Sequence, residues 1–537
     1  MFTRNQRFII LSLIVGAAAF RVAVVHWLPS DSAGDSIVYE QIARNVLEHH
    51  VYSHLDEAPF TPSFVRLPGY PLFLAGIYAV FGHTNNTAVR IIQALIDTGT
   101  CLLVAWLAWL WQPDERKKII TAITALALAA VNPFTTIYAA TILTEVPATF
   151  LIVAACIATT IAFREEKFER ELRWWALAGL LTGIDVLFRP EVGLITAAIG
   201  AVIILKIVRR PEQRLPKTMA AGAALSIAFI LVLAPWTIRN WRTLHVFQPL
   251  APPNGNMPGE FVPLGYELWM KTWMTDGEYL DDLLWNLDQS QIDVDELPDT
   301  AFDSQAEHDR VAALFDRYNE PGGESGQDSA DPKPAAPNQP GNDQTKQPGE
   351  SDDENDEDSD SGKDQSAKTP DLTPELDAAF GQIAAERIAR HPFRYYVLLP
   401  LRRAHSLWFN THSDFYPFVG NALPLNNPEN NRMENFWLPI FAVLVGIYTV
   451  LGVGGLALLA MNGGFYERAW VLLVALIFGA RLVLFSTAVS VEPRYVVEFF
   501  PILAVTGAIA IMNFREFFSR NKPADLPEPE AVATGPQ

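Results

Sequence analysis

The sequence predicts an all-α polytopic membrane protein of about ten transmembrane helices, with both termini cytoplasmic and large first and fourth outer loops. Three observations lead there. Half of the 537 residues are hydrophobic, and they collect into runs approaching the ~20 apolar residues that a bilayer crossing needs. Basic residues recur in every second connection between those runs. Half of the net charge of −20, which is at odds with so apolar a chain, sits in a single polar stretch.

The apolar runs lie at roughly 8–28, 88–111, 119–138, 145–163, 174–189, 191–208, 218–236, 437–460, 468–489 and 495–513. The first lacks a small-residue cleavage site and reads as a retained helix. Arg4 and Arg7 precede it, Arg116, Lys117 and Lys118 follow the second run, and Arg164, Lys167, Arg170 and Arg173 follow the fourth. Arg209, Arg210, Arg214 and Lys217 follow the sixth, and Arg515, Arg520 and Lys522 come after the last. With ten spans all of these fall on one side, which the positive-inside rule makes cytoplasmic.

That parity divides the chain into an N-terminal membrane module (1–236), an outer region (237–436), C-terminal membrane helices (437–513) and a cytoplasmic tail (514–537). The first outer loop is 29–87. Within the second large loop, residues 319–370 hold 14 acidic side chains against four lysines and are rich in Pro, Gly, Ser, Asn and Gln. Such a segment buries too little apolar area to offset its ordering entropy and reads as a disordered, dispensable spacer. Cys101 and Cys156 both lie in apolar runs, so no disulfide framework or Cys/His metal cluster is expected. Pro71 to Phe81 and Tyr395 to Phe409 read as interfacial helices, the latter with Arg402, Arg403 and His405 at headgroup level. A tilted eleventh span over 395–409 is the alternative and breaks the charge parity.

Polar chemistry gathers in the outer connections. A helix over 36–47 places Asp35 and Tyr39 four apart, with Asp31 one turn earlier, so the three can share a face. Asp35 at a helix start suits a cap as well as a catalytic acid. Arg66-Leu67-Pro68-Gly69-Tyr70-Pro71 is a stiff turn that holds an arginine at the membrane surface, and a guanidinium suits phosphate because it donates two hydrogen bonds at once. Acids and arginines recur at Thr144-Glu145, Arg189-Pro190-Glu191, Arg239-Asn240 and Glu492-Pro493-Arg494-Tyr495. Individually these read as surface ion pairs; converging on one face they describe a polar cavity.

Charges within the apolar runs need partners. Asp185 lies one turn before Arg189 and suggests a local pair. Asp97 and Arg481 have similar depths and suggest a second pair or a jointly lined cavity.

In this order the motifs resemble the integral-membrane glycosyltransferases of the C-type fold, in the bacterial branch related to protein O-mannosyltransferases and lipid A aminoarabinose transferases. The matching elements are Gly34-Asp35 with Tyr39 and Ala43, Arg66 to Leu74 leading to Phe81-Gly82, Thr144-Glu145, Arg189-Pro190, Pro235 to Asn240, and Arg494-Tyr495 before Pro501. The resemblance implies a sugar donor on a polyprenyl or dolichyl phosphate, transferred outside a prokaryotic cell membrane with inversion at the anomeric carbon. It makes Asp35 the catalytic acid or base and Glu145 a second acid. Arg66, Arg239 and Arg494 would bind the donor phosphate, and Asp31, Tyr39, Tyr70, Arg189, Asn240, Glu492 and Tyr495 would line the cavity. A divalent metal, if used, would involve Asp31 and Asp35. The adjacent acid pair of metal-using relatives is missing, since Ser36 follows Asp35.

The implied partners are the lipid-linked donor, a glycan, lipid or protein acceptor, and membrane lipids. Trp269, Trp273, Trp285 and Tyr279 suit either sugar stacking or the core of a small folded unit. A transporter or flippase of lipid-linked saccharides is the alternative of a different class, though such proteins commonly show internal repeats or broken helices. No outer basic patch with interleaved aromatics supports nucleic-acid binding.

Overall fold

The computed structural model describes residues 3–28, 34–209, 215–252, 255–320, 370–409, 425, 428 and 430–520. Asp31, the acidic insert apart from its outermost residues, and the tail beyond 520 lie outside them. Among the described residues the secondary structure is helical, with no strand.

Helix α1 (Arg4–Trp27) starts at a capping box in which Thr3 and Gln6 satisfy each other's backbone N–H groups. Helix α2 (Asp35–Glu48) and the short apolar α3 (Gly69–Phe81) form the first outer connection. Helix α4 (Asn86–Trp111) is capped by the Asn85 side chain. Helices α5 (Lys118–Ala130) and α6 (Pro133–Ala139) meet at a 54° bend. There the Asn132 side chain caps α6 and Pro133 occupies its first turn. Helices α7 (Glu145–Arg164), α8 (Phe168–Val186), α9 (Gly193–Arg209) and α10 (Leu215–Leu244) complete the N-terminal half. The last of these passes through Pro235, so Arg239 and Asn240 are helical instead of following a helix end at 236.

The outer region folds around its own core. Helices α11 (Leu264–Lys271), α12 (Gln305–Asn319) and α13 (Pro374–Arg390) enclose Tyr266, Trp269, Trp273, Phe315 and Phe380. Trp269, Trp273 and Tyr279 are thus packing residues, whereas Trp285 is half exposed. Arg387, Arg390 and Arg394 join Asp303 and Glu307 across this unit. Helix α14 (Leu399–Phe409) leads back towards the membrane helices α15 (Arg432–Asn462), α16 (Phe465–Ser486) and α17 (Phe500–Arg520).

Arg403 is buried on α14, not held at headgroup level. It donates to the carbonyls of Lys271, Met274 (2.9 Å) and Ser486 (3.5 Å). Carbonyls at helix ends lack intrahelical partners, so this guanidinium fastens the outer unit to the end of α16. At 11 residues α14 is too short to cross a bilayer alone.

Among the described residues, seven segments are long and apolar enough to span a membrane: α1, α4, α7, α10, α15, α16 and Pro493–Phe514, which contains most of α17. The bent pair α5–α6 makes an eighth if it is one span. Helices α8 and α9, at the expected fifth and sixth spans, fall outside this set: α8 opens with Glu169, Arg170, Glu171 and Arg173, and α9 has 17 residues. Both nevertheless run beside α7 between two common ends. At one end Lys206 sits 2.7 Å from Glu171 and donates to the Ala162 carbonyl; at the other lie Glu145, Asp185 and Glu191.

Among the long segments, α7 and Pro493–Phe514 are the most enclosed, while α10, α1 and α15 turn most of their apolar surface outward. Close approach of α15 to α17 depends on Gly455, where an added Cβ would run into the Thr506 carbonyl.

The intramembrane charges pair differently from the sequence expectation. Asp97 accepts from Arg21 Nε at 2.7 Å, and the rest of that guanidinium serves the carbonyls of Ala129 and Ala130 at the end of α5. Arg481 lies elsewhere, beside Glu498 and Glu191. Similar depth was therefore no guide, because α1 is the helix that packs against the Asp97 face of α4. In a double-mutant cycle on unfolding, Asp97→Ala and Arg21→Ala are expected to be strongly non-additive, while Asp97→Ala and Arg481→Ala add. Coupling of the second pair alone would refute this arrangement.

Candidate functional site

Gly34 adopts φ 54°, which glycine tolerates best, and α2 begins immediately after it. Asp35 is consequently the first helical residue, and its carboxylate is turned away from capping. Oδ1 accepts from Arg66 Nη2 and Oδ2 from Arg494 Nη2, each at 2.9 Å. The two arginines come from opposite ends of the chain and hold one oxygen each. The Asp35 side chain is 23% exposed, so this clamp is open to a ligand.

Burial works to raise the Asp35 carboxyl, but Arg494 and Arg66 outweigh it and hold it at about 2. The stability gained from this lowered value is fully present above the ordinary carboxylate range. It is lost as pH falls through about 2. One turn along α2, burial and the Asp35 charge raise the Tyr39 phenol. Its ring meets Tyr70 edge-on at 5.1 Å. Tyr70 is itself fully buried and donates to Gln93 Oε1 at 2.8 Å, so it packs the floor behind the clamp instead of lining a cavity.

Arg66 is presented by a loop that Arg239 secures. The Arg239 guanidinium donates to the carbonyls of Ser63 (2.7 Å) and Tyr52 (3.3 Å) and to Asn240 Oδ1 (2.9 Å). It lies over the Trp236 and Tyr52 rings, and the Tyr52 hydroxyl donates to the Arg66 carbonyl. Asn240 donates to the Gln248 carbonyl. Arg239 and Asn240 thus hold the loop carrying the clamp and do not touch Asp35. Gly255, at φ 69°, closes over Arg66: a Cβ there would stand 2.8 Å from Nη1.

A second group of charges lies deeper. Arg189 bonds Glu145 (2.7 Å) and Glu191 (2.6 Å) and reaches Glu498 (3.2 Å). Arg481 pairs with Glu498 and Glu191. Tyr495 connects the two groups: the Arg189 and Arg494 guanidiniums both lie against its ring, and its carbonyl accepts from Arg481. Its hydroxyl pairs with Ser490. Glu492 is buried at the start of the same turn.

The structure therefore brings Asp35, Arg66 and Arg494 together, and Glu145 with Arg189, while the loop residues Arg239 and Asn240 support them. The sequence reading missed Arg21 and Glu498; it included Glu191 among the outer acid–arginine elements without a partner of its own, and it set Arg481 with Asp97. Each is a charge inside or bordering an apolar run, and that was the available signal.

Asp185 does not pair with Arg189. Both its carboxylate oxygens are buried and without a hydrogen-bond partner, because Arg189 is drawn to Glu145 and Glu191. Glu145, Glu191 and Glu498 here share ion pairs with Arg189 and Arg481. Asp185→Leu keeps the side-chain shape and removes two orphaned acceptors. It is expected to stabilise the protein by about 1–3 kcal/mol, read as a higher unfolding midpoint in lipid; a lower midpoint would assign Asp185 a necessary charge.

Asp31 lies outside the described residues, and among those described the donor set fits a divalent metal poorly. Both Asp35 oxygens are taken by guanidiniums, and the described His, Cys, Asp and Glu residues form no group of three suited to an ion.

Residues 62–237 match the family model described as dolichyl-phosphate-mannose-protein mannosyltransferase. That stretch includes Arg66, Glu145 and Arg189 and leaves Asp35, Arg239 and Arg494 outside. No curated protein sequence matches the chain. Among solved structures, the oligosaccharyltransferase AglB of Archaeoglobus fulgidus, in complex with an inhibitory peptide and a dolichol-phosphate, shows 13% identity and a TM-score of 0.48 over 98% of this chain and 53% of that one. The chain thus spans about half the length of that protein. The S. cerevisiae protein O-mannosyltransferase complex bound to the sugar donor shows 15% identity and a TM-score of 0.36 over 47% and 35% of the two chains. ArnT from Cupriavidus metallidurans bound to undecaprenyl phosphate shows 12% identity and a TM-score of 0.35 over 96% and 81%.

Proposed function

We propose that this protein is a membrane glycosyltransferase that moves a sugar from a polyprenyl-phosphate donor to a glycan, lipid or protein acceptor. The observation that carries the reading is the clamp of Arg66 and Arg494 on Asp35, set at one end of helices long and apolar enough to cross a bilayer. Two guanidiniums beside one carboxylate supply both requirements of this chemistry. A base takes the acceptor hydroxyl proton, and fixed positive charge receives the phosphate that leaves. The match of 62–237 to a family named for a lipid-phosphate sugar donor supports the same substrate class.

In the proposed reaction the acceptor oxygen attacks the anomeric carbon and the bond from that carbon to the phosphate oxygen breaks with its electron pair. Asp35 takes the hydroxyl proton; Arg66 and Arg494 neutralise the departing phosphate. Glu145, with one oxygen on Arg189, holds the deeper charges in register and is assigned a positioning role, as are Arg239 and Asn240. No step is assigned to a metal.

The site is assigned to the outside of a prokaryotic cell membrane, with both chain termini inside. Helix polarity supports this orientation: Glu145 begins α7 and Arg239 lies near the end of α10, whereas Arg164 and Lys217 lie at the opposite ends of those helices. Basic connections mark the cytoplasmic side.

The test is acceptor-dependent release of polyprenyl phosphate. Purified protein in lipid is offered a panel of polyprenyl-phosphate sugars with membrane extract as acceptor. Release coupled to sugar transfer is the expected result. Movement of an intact lipid-linked saccharide across the bilayer without release would overturn the reading in favour of a flippase.

A further inference from the structure

We propose that the donor phosphate and Asp35 compete for the same two guanidiniums, so that donor binding is the event that frees Asp35 to act as a base. The inference rests on the lipid-phosphate reading of the site and adds an order of events to it. Each Asp35 oxygen is held by one arginine at 2.9 Å. In that state the carboxylate is occupied on both sides and is a very weak base, since Arg494 and Arg66 hold it at about 2. A base so far below neutrality has little drive to accept a hydroxyl proton.

The geometry supplies the remedy. Arg66 and Arg494 are anchored independently of Asp35. Arg66 is carried on the loop that Arg239 and Tyr52 fix, and Arg494 lies against Tyr495 in the turn before α17. They can keep their places while their Nη atoms change partner. The donor phosphate is a diester whose single negative charge is shared by two non-bridging oxygens, so it matches the carboxylate in charge and meets paired guanidiniums with charge-assisted bonds. Its charge then grows as the sugar–phosphate bond breaks, which holds both arginines on the phosphate.

Once both arginines face the phosphate, Asp35 loses its two stabilising partners and keeps Tyr39, one turn along α2, beside it. The carboxylate then takes the acceptor proton as the sugar–phosphate bond breaks. When polyprenyl phosphate leaves, the arginines return and Asp35 gives the proton to solvent. Donor must accordingly bind before the base is competent, which restrains proton abstraction in an empty site.

The clamp predicts an unusual effect of removing a proposed catalytic residue. Asp35→Asn deletes the competitor, so polyprenyl phosphate alone, titrated onto protein in nanodiscs, is expected to bind roughly tenfold or more tightly than to wild type, from the release of two charge-assisted hydrogen bonds. Asp35→Glu retains the charge and is expected to stay nearer wild type. Loss of a local negative charge would also favour phosphate, so Asp35→Asn is repeated in an Arg66→Gln background. There the gain is expected to shrink markedly if arginine is what changes hands. An equal gain in both backgrounds, or no gain in the folded single variant, overturns the handover while leaving lipid-phosphate binding by wild type intact. Wild type that is folded yet does not bind polyprenyl phosphate would instead refute the donor assignment, and the handover with it.

Discussion

Asp35→Asn is expected to lower acceptor-dependent sugar transfer by about 10²–10⁴-fold, the usual worth of a positioned general base, while leaving the protein folded. The loss should fall on the chemical step. The amide keeps the shape of the side chain but cannot accept a proton, and the arginines that hold the departing phosphate remain. Transfer and polyprenyl phosphate release are measured together at saturating donor, so that weakened binding cannot imitate lost catalysis. Transfer within a few-fold of wild type would move the base elsewhere, and Glu145, with one oxygen unbonded, would be the next residue to change.

Arg481→Leu is expected to be among the most destabilising single substitutions, at about 3–5 kcal/mol. Arg481 is fully buried on α16 between Glu498 and Glu191. Its loss leaves Glu498, also fully buried, to share Arg189 with Glu145 and Glu191. Unfolding in lipid, followed by heat or denaturant, reads the effect. Adding Glu498→Gln should recover part of the loss, because the uncompensated charge is then gone. A marginal effect of Arg481→Leu would show that these acids are not ionised together in the folded protein.

The two predictions differ in how far the sequence could lead to them. Asp35 was visible because it stands at a helix start beside an apolar run, where capping and catalysis were both open; its partners in space decide between them. Arg481 was visible as a buried charge, yet its partner was assigned wrongly. Depth along two helices says nothing about which of their faces meet. Asp185 and Arg189 illustrate the same limit within one helical turn: spacing permits the pair, but Glu145 and Glu191 outcompete Asp185 for the guanidinium.

The aromatic residues of the outer region show how packing settles an ambiguity. Trp269 and Trp273 suit a sugar platform as well as a core by type alone, and their enclosure by α11, α12 and α13 makes them core. Arg403 was expected at headgroup level, because an arginine in a short amphipathic helix ordinarily keeps its charge in water. Carbonyls at the ends of α11 and α16 supply the alternative.

By itself the sequence determined that the chain is helical, that it crosses a membrane repeatedly, and that acids and arginines collect at one set of helix ends. These are local properties: apolar run length, turn chemistry and the sign of charge in each connection. Only the tertiary structure decided which charges meet, because Asp35 and Arg494 are 459 positions apart and Arg481 and Glu191 are 290 apart. Such pairings follow from which helix faces pack together, and that depends on side-chain volume and close glycine contacts summed over the whole bundle rather than on any one segment.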